Sequence, residues 1–469
     1  MDTFAETIRL RTSEFGANFF QALNQLDNLD TGFRSLLRRR NSISKLLTDL
    51  PLDGKNITMY RRYIFNSVMD ALSDTPVVFL RGARQTGKST LVREIANGPY
   101  PARYVTLDNA AVFSAASADP TGFLAGVGKP VVIDEAQRVR NLFLAIKEDV
   151  DRNRTPGRYL LAGSANILTI PRVADALAGR MELLTLWPLS VGELKEDGGN
   201  ALDVFFDSGF PNRFHPGTDF DLAETIVAGG FPEPVQRSSH RRRRAWFESY
   251  ITTILDREVR DLAQIQDLAV LPRLLQFLSA RTATLHNQSE ISRSIGIPNS
   301  TLSRYLKLLE MTFLVKTLPA WSPNMGKRLV KASKIFMVDT GLACHLLGID
   351  EEGFRQRGEI VGRVFENFVA LELFKSASWC DEPVRLFHFR SQAGQEVDVV
   401  IERSGGEVVG VEIKLSASPS QRDFDGLKVL REHLGNKFVR GILIYTGREI
   451  VPFEKDLYAV PVNVLTARL

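Results

Sequence analysis

Hydrophobic and polar positions change rhythm three times along the chain, and each change marks a different kind of structure. Residues 1–58 place Phe4, Ile8, Leu10, Phe15, Phe19 and Leu23 at roughly helical spacing and predict a helical N-terminal extension. Pro51-Leu52-Asp53-Gly54 closes it as a linker. Over 59–188, short apolar runs at 77–80, 104–107, 131–133, 159–162 and 183–186 alternate with helical stretches. Runs this short and this apolar fit strands covered on both faces, so they predict a parallel sheet in a three-layer α/β domain. Residues 189–345 are mostly helical in pattern, with a turn-rich patch at Gly229-Gly230-Phe231-Pro232. Residues 346–469 predict a second α/β domain: a helix over 361–375, then strand-like runs at 384–389, 396–402, 408–415, 441–445 and 457–464.

Composition narrows this only a little. A chain of 469 residues with 44% hydrophobic and 24% charged residues is an ordinary globular protein with several cores. No apolar run is long enough to cross a bilayer, and the opening MDTFAETIRLRTSEF lacks a hydrophobic signal segment. Only Cys344 and Cys380 are present, far apart. Together these features predict a cytoplasmic protein with no membrane partner. The six histidines form no cluster at metal-ligand spacing, which leaves zinc without support. A formal charge of +4 permits a nucleic-acid partner without demanding one.

The densest chemical signal is Gly82-Ala83-Arg84-Gln85-Thr86-Gly87-Lys88-Ser89, a full match to G-x-x-x-x-G-K-[ST] between a strand pattern and a helix pattern. Such a loop curls so that successive N–H groups face phosphates, with the helix N-terminus behind them. It predicts ATP bound along 82–90, Thr90 included, with Lys88 on the β- and γ-phosphates and the Ser89 hydroxyl on Mg²⁺. Val131-Val132-Ile133-Asp134-Glu135 adds an apolar strand ending in two carboxylates: Asp134 is placed for Mg²⁺, and Glu135 to polarise the attacking water. A third strand ends Ala162-Gly163-Ser164-Ala165-Asn166, so Asn166 is expected near the γ-phosphate. Arg180, just before the last strand, is either a finger reaching a neighbouring subunit's nucleotide or a surface cation.

Taken in order, GARQTGKS, VVIDEAQ, LLAGSAN, LAGRMELLTLWPLS and GGFPEP resemble the prokaryotic AAA-type (AAA+) ATPases that carry the C-terminal domain of unknown function numbered 4143. The resemblance runs from Tyr60 to the C-terminus and leaves 1–58 outside. It implies an AAA-like P-loop core, a helical region with a winged-helix element, and a C-terminal α/β domain similar to restriction endonucleases.

Within the helical region, 289–309 reads as helix, Gly-containing turn, helix. Asn299 or Ser300 can cap the second helix, and Leu302, Tyr305, Leu306 and Leu309 form its buried stripe. Ser300, Thr301, Ser303, Arg304 and Lys307 are left outward, a set suited to phosphates and base edges of DNA. The stretch 313–337 predicts a hairpin wing carrying Lys327, Arg328, Lys331 and Lys334. Use of the module for packing alone is the plainer alternative. Arg237 and Arg241 to Arg244 form the densest basic run, which either tracks a phosphate backbone or opens a solvated helix.

In the last domain, 396–415 reads as two strands flanking Ser404-Gly405-Gly406. Alternation puts Val397, Val399 and Ile401 on one face, with Glu396 and Asp398 opposite. A turn centred on Gly405 sets Asp398 across from Glu412 and Glu396 across from Lys414. Opposed carboxylates repel, so something positive belongs between them, and Mg²⁺ or Mn²⁺ is the natural candidate. The arrangement resembles the PD-(D/E)xK nuclease core, with Val397 where that motif's name has Pro. By that resemblance Asp398 and Glu412 hold the metal, Lys414 orients or activates the water, and Glu366 is the acidic residue of the preceding helix. Two plainer readings stay open: an ordinary half-exposed hairpin, or a nuclease fold kept for binding alone.

The sequence therefore predicts a homo-oligomeric ATPase that binds DNA and couples ATP turnover to a metal-dependent endonuclease, with branched DNA such as Holliday junctions as one target. The alternative is a nucleotide-switched DNA- or protein-binding regulator whose nuclease-like domain is catalytically inactive.

Overall fold

The computed structural model describes residues 60–164, 177–212, 217–259, 269–322, 332–356 and 358–467. The extension predicted over 1–58 lies outside them. Residues 61 onward form one compact unit.

Five apolar runs become strands β1 Val77–Arg81, β2 Arg103–Thr106, β3 Val131–Asp134, β4 Tyr159–Gly163 and β5 Met181–Thr185. They form one parallel sheet in the order β2-β3-β4-β1-β5. The continuous apolar character has a direct cause. Val77, Phe79, Ile133 and Leu161 pack into one core, while Val78, Leu80, Val132 and Leu160 pack into another on the opposite face. Helices α1 (Ile64–Asp74) and α2 (Lys88–Asn97) cover the second face with Ile64, Val68, Leu91, Val92 and Ile95.

The middle region is built on α3 (His240–Thr253), α4 (Gln288–Ile295) and α5 (Asn299–Met311). Gly296, at φ +81°, caps the end of α4 in the left-handed conformation that only a missing Cβ makes easy. Helix α5 begins at Asn299 behind Pro298, with no side-chain cap, so neither Asn299 nor Ser300 plays the capping role expected of it. Strands β6 (Thr284–Leu285), β7 (Val315–Leu318) and β8 (Lys334–Met337) form a small sheet in the order β6-β8-β7, and β7 and β8 pair antiparallel. Helix α6 (Thr340–Leu347) follows directly and runs unbroken across 345 and 346.

The last part opens with α7 (Glu359–Ser376), the 18-residue helix on which the domain is assembled. Its sheet contains β9 (Val384–Arg390), β10 (Glu396–Arg403), β11 (Val408–Lys414), β12 (Phe438–Tyr445), β13 (Val451–Glu454) and β14 (Leu457–Pro461). Helix α8 (Asp425–Leu434) makes the crossover between β11 and β12, which pair parallel. Strand β13 and helix α8 were not legible as separate elements. The run at 457–464 turns at Pro461 into a short 3₁₀ segment, because Val462 to Thr466 leave the sheet. The hairpin register has Val399 opposite Val411 and Ile401 opposite Val409, centred on Gly405 as predicted.

The predicted alternation fails at one point. A bulge between Val397 and Val400, against β9, sends Val397 into the core under α8 while Val399 and Ile401 pack under α7. One extra residue reverses the facing of everything before it and re-aims Asp398.

The segment after β5 ties the parts together. Trp187 Nε1 donates to Ser378 Oγ (3.1 Å), Val191 N to Glu372 Oε2 (2.9 Å), and Lys375 Nζ to Leu189 O (2.9 Å). The end of α7 is thus docked on the chain leaving the parallel sheet.

Helix α8 sits so close to β10 that a Cβ on Gly426 would lie 1.8 Å from the Glu396 carbonyl oxygen, whereas one on Gly405 would meet nothing within 4 Å. Gly426→Ala is expected to cost about 1–3 kcal/mol by overpacking, and Gly405→Ala close to nothing. Urea denaturation of the two variants checks this; equal midpoints would contradict the packing.

Candidate functional site

The phosphate-binding loop leaves β1 at its carboxyl end and enters α2 at Lys88. Gly82 lies so near the next segment that a Cβ would fall 2.1 Å from the Leu186 carbonyl oxygen, and Gly87 takes φ +93° to start the helix. Thr86 Oγ1 donates to Ala83 O (2.9 Å). Lys88, 5% exposed, donates from Nζ to Gly82 O (3.0 Å) and Ala83 O (2.7 Å). Burial lowers the Lys88 pKa to about 8, although Glu135 and Asp134 act to raise it. Gln85 and Thr90 are exposed; Arg84 and Ser89 are half-buried.

Two more strand ends converge here. Asp134, buried at the end of β3, accepts from the Tyr104 hydroxyl (2.7 Å) and from Glu135 N (3.0 Å). Glu135 stands at φ +56°, a strained position for a non-glycine residue, and its Oε2 accepts from Gln137 Nε2 (2.6 Å). Gln137 also donates to Ser164 Oγ (3.1 Å), just past β4. Lys88, Asp134, Glu135 and Ser164 therefore share one end of the sheet. Asn166 lies outside the described residues.

Arg180 does not join them. Its carbonyl accepts from Val77 N, which sets it at the amino end of β1, about 15 Å of strand away from the loop. Its side chain pairs with Asp151. Within one chain the arginine is remote from the nucleotide loop.

Arg62 is a site residue that no sequence pattern points to. This buried side chain sends Nη1 to Thr86 O (2.6 Å), Nη2 to Trp187 O (2.7 Å) and Nε to Glu193 Oε1 (2.9 Å). Glu193 in turn accepts from Tyr63 N and Ser190 N. No motif marks such a residue, since it touches the loop only through the backbone carbonyl of Thr86.

In the helix–turn–helix, Ser300, Ser303, Arg304 and Lys307 are exposed and Thr301 is half-buried. Leu302, Tyr305 and Leu309 are buried as predicted, Leu306 only partly, and Leu308 joins them. Ser303 accepts a hydrogen bond from Gln288. Lys327, Arg328 and Lys331 lie outside the described residues. Of the basic run, Arg243 is buried and bonds Arg237 O (2.7 Å), while Arg241, Arg242 and Arg244 are exposed.

Lys334 corrects the reading of the wing. It is 3% exposed, and its Nζ lies 2.6 Å from Glu366 Oε1 and 2.8 Å from Asp398 Oδ1. Of the residues that the resemblance assigned to a nuclease-like centre, Asp398 accepts through Oδ2 from Ile413 N (3.0 Å), and Lys414 Nζ lies 2.8 Å from Glu412 Oε1. The positive group facing Glu366 and Asp398, however, is an ammonium of the chain itself. Burial works against ionisation of Asp398, yet Lys334 holds its carboxyl below the usual range. Burial, then the neighbouring Asp398, raises Glu412 to about 8 and Glu366 well above its usual value. No group of three or more His, Cys, Asp or Glu suited to a metal ion occurs among the described residues. With the Lys334 ammonium between them, Glu366 and Asp398 do not fit a divalent ion as they stand.

An AAA domain family model matches residues 74–195, a domain of unknown function (DUF8612) matches 219–353, and another (DUF4143) matches 361–465. The AAA match supports an ATPase that binds nucleotide. The chain is 32% identical over 394 residues to the uncharacterized protein Rv2008c of Mycobacterium tuberculosis, spanning 84% of this chain and 81% of that one. The uncharacterized protein Mb2031c of Mycobacterium bovis matches with the same figures. Among solved structures, the Walker-type ATPase PABY2304 of Pyrococcus abyssi aligns with a TM-score of 0.40 at 16% identity, over 64% of this chain and 99% of that one. Among the described residues no helix is long and apolar enough to cross a membrane.

Arg62→Ala would leave the Glu193 carboxylate buried without its cation and two carbonyls without a donor. Breaking a buried pair from one side costs about 3–5 kcal/mol. Chemical denaturation measures this; a loss under about 1 kcal/mol would show that Arg62 is not the clamp described.

Proposed function

The chain belongs to the family of the two mycobacterial proteins, and we propose that it is a cytoplasmic, homo-oligomeric AAA+ ATPase that hydrolyses ATP to switch its hold on DNA. The observation that carries this is the meeting of the loop, buried Lys88, Asp134, Glu135 and Ser164 at one end of a parallel sheet. Ligands of such sheets gather at that end.

In this reading ATP lies along residues 82–90, and Lys88 exchanges the Gly82 and Ala83 carbonyls for the β- and γ-phosphates. Half-buried Ser89 and the Asp134 carboxylate suit Mg²⁺, which neutralises phosphate charge when bound. Glu135, held by Gln137, orients a water and takes its proton. The water oxygen bonds to the γ-phosphorus as the bond to the β–γ bridging oxygen breaks, giving ADP and phosphate. Arg180 contributes only if a neighbouring copy brings its own to this site.

For DNA, the supporting feature is the exposed row Ser300, Arg304 and Lys307 on α5, with Thr301 beside it, in a winged-helix reading of α4, α5, β7 and β8. Lys327 and Arg328, which lie outside the described residues, are included in this DNA proposal by their place in the sequence alone. Branched DNA such as a Holliday junction is one substrate class to try. Cleavage by Asp398, Glu412 and Lys414 with Mg²⁺ or Mn²⁺ is the weaker reading, because Lys334 bridges Glu366 and Asp398. A nuclease-like domain that docks without cutting fits that pair better.

Lys88→Ala should abolish ATP binding, and Glu135→Gln should retain binding while turnover falls about 10²–10⁴-fold. Arg304→Ala with Lys307→Ala should weaken linear, forked and four-way DNA alike and flatten the salt dependence by about two counterions. Steady-state ATPase assays with and without DNA, alongside binding titrations, read all of this. Unchanged turnover in Glu135→Gln would remove its assigned role, and unchanged DNA affinity would remove α5 from the interface.

The lysine also sets a pH dependence. Below pH about 8 the Lys88 ammonium is retained in the folded chain, and its burial cost is present. Between there and the unfolded value of about 10.4 the unfolded chain binds more protons, so this residue's contribution to stability rises with pH. ATP affinity moves the opposite way, because the complex needs the ammonium. Calorimetry should find it falling above pH about 8, by up to about tenfold per unit, with proton uptake. A flat profile would contradict phosphate contact by Lys88.

A further inference from the structure

In the acidic centre of the last domain, most of the carboxylate oxygens are already engaged by groups of the chain itself. Asp398 has none to spare: Oδ1 faces Lys334 Nζ at 2.8 Å, and Oδ2 accepts from Ile413 N at 3.0 Å. Glu366 gives Oε1 to the same ammonium at 2.6 Å. Glu412 gives Oε1 to Lys414 at 2.8 Å, and its Oε2 is buried without a hydrogen-bond partner. To reach the other oxygens named above, a divalent ion would have to displace the Lys334 or Lys414 ammonium or the Ile413 N–H.

The ammonium is also firmly held. Lys334 opens β8, where its backbone pairs with Leu318 of β7 and Leu285 of β6. Its side chain crosses from that small sheet to α7 and β10, and is 3% exposed. A divalent ion between Glu366 and Asp398 would lie against this charge, and two cations in so confined a space repel strongly.

We propose that Lys334 is the resident cation of the nuclease-like centre, standing where a divalent metal would otherwise sit. Metal binding at Glu366 and Asp398 and docking of β8 on α7 and β10 then exclude each other. In the docked chain the centre is closed, and it becomes a metal site only when the lysine is withdrawn or neutralised. This inference stands on the acidic centre alone and does not depend on the ATP and DNA reading above.

The test uses the full chain without nucleotide and Mn²⁺ alone as the probe, followed by electron paramagnetic resonance and by melting temperature. Wild type, Asp398→Asn, Lys334→Met and Lys334→Met with Asp398→Asn are compared. Wild type should show no Asp398-dependent Mn²⁺ site. Lys334→Met should gain one, roughly 100-fold or more tighter than any binding by wild type, since a like charge has been removed from the gap. Its melting temperature should rise with Mn²⁺, and both gains should vanish in the double variant. An Mn²⁺ site in wild type that Asp398→Asn abolishes would overturn the proposal, even if Lys334→Met fails to fold. So would a folded Lys334→Met chain that acquires no site.

Discussion

The arrangement turns on one buried guanidinium. Arg62 satisfies a carboxylate and two backbone carbonyls at once, and those acceptors belong to the loop, to the chain leaving β5 and to the helix begun at Ser190. A charge in such a place is tolerable only when nearly every donor is used. Glu193 meets that demand by closing its own helix end as a capping box with Ser190 while accepting from Arg62 and from Tyr63 N. Loop position, strand exit and helix start are therefore fixed together.

How much of this was legible depends on how each residue acts. The five strands of the first sheet could be read because burial on both faces leaves an unbroken apolar run such as Val131-Val132-Ile133. The loop could be read because its glycines are required by backbone geometry. Arg62 could not be read, since a residue that binds carbonyls far away in sequence leaves no periodic trace. The hairpin centre at Gly405 was legible from its turn, but the bulge beyond Val397 was not. Its cause is the pairing with β9, a contact that the local alternation does not encode.

The acidic centre shows the limit of reading chemistry from spacing. Asp398 does have a positive partner, although that partner joins it to Glu366 and not to the opposed Glu412. The partner is a side chain 64 residues away from Asp398, on a strand that the pattern had assigned to an exposed basic wing. A lysine on a short strand looks the same in sequence whether it meets water or two carboxylates. Only the packing of β8 against α7 and β10 separates the cases.

Helix α7 spans 18 residues, about 27 Å along its axis. Glu372 and Lys375 bolt one part of it to the chain beyond the nucleotide loop, and Glu366, two turns back, carries the Lys334 contact. The chain leaving the first sheet and the Lys334 ammonium therefore grip one and the same helix at separate places along its length, so a single element is shared by the two sites.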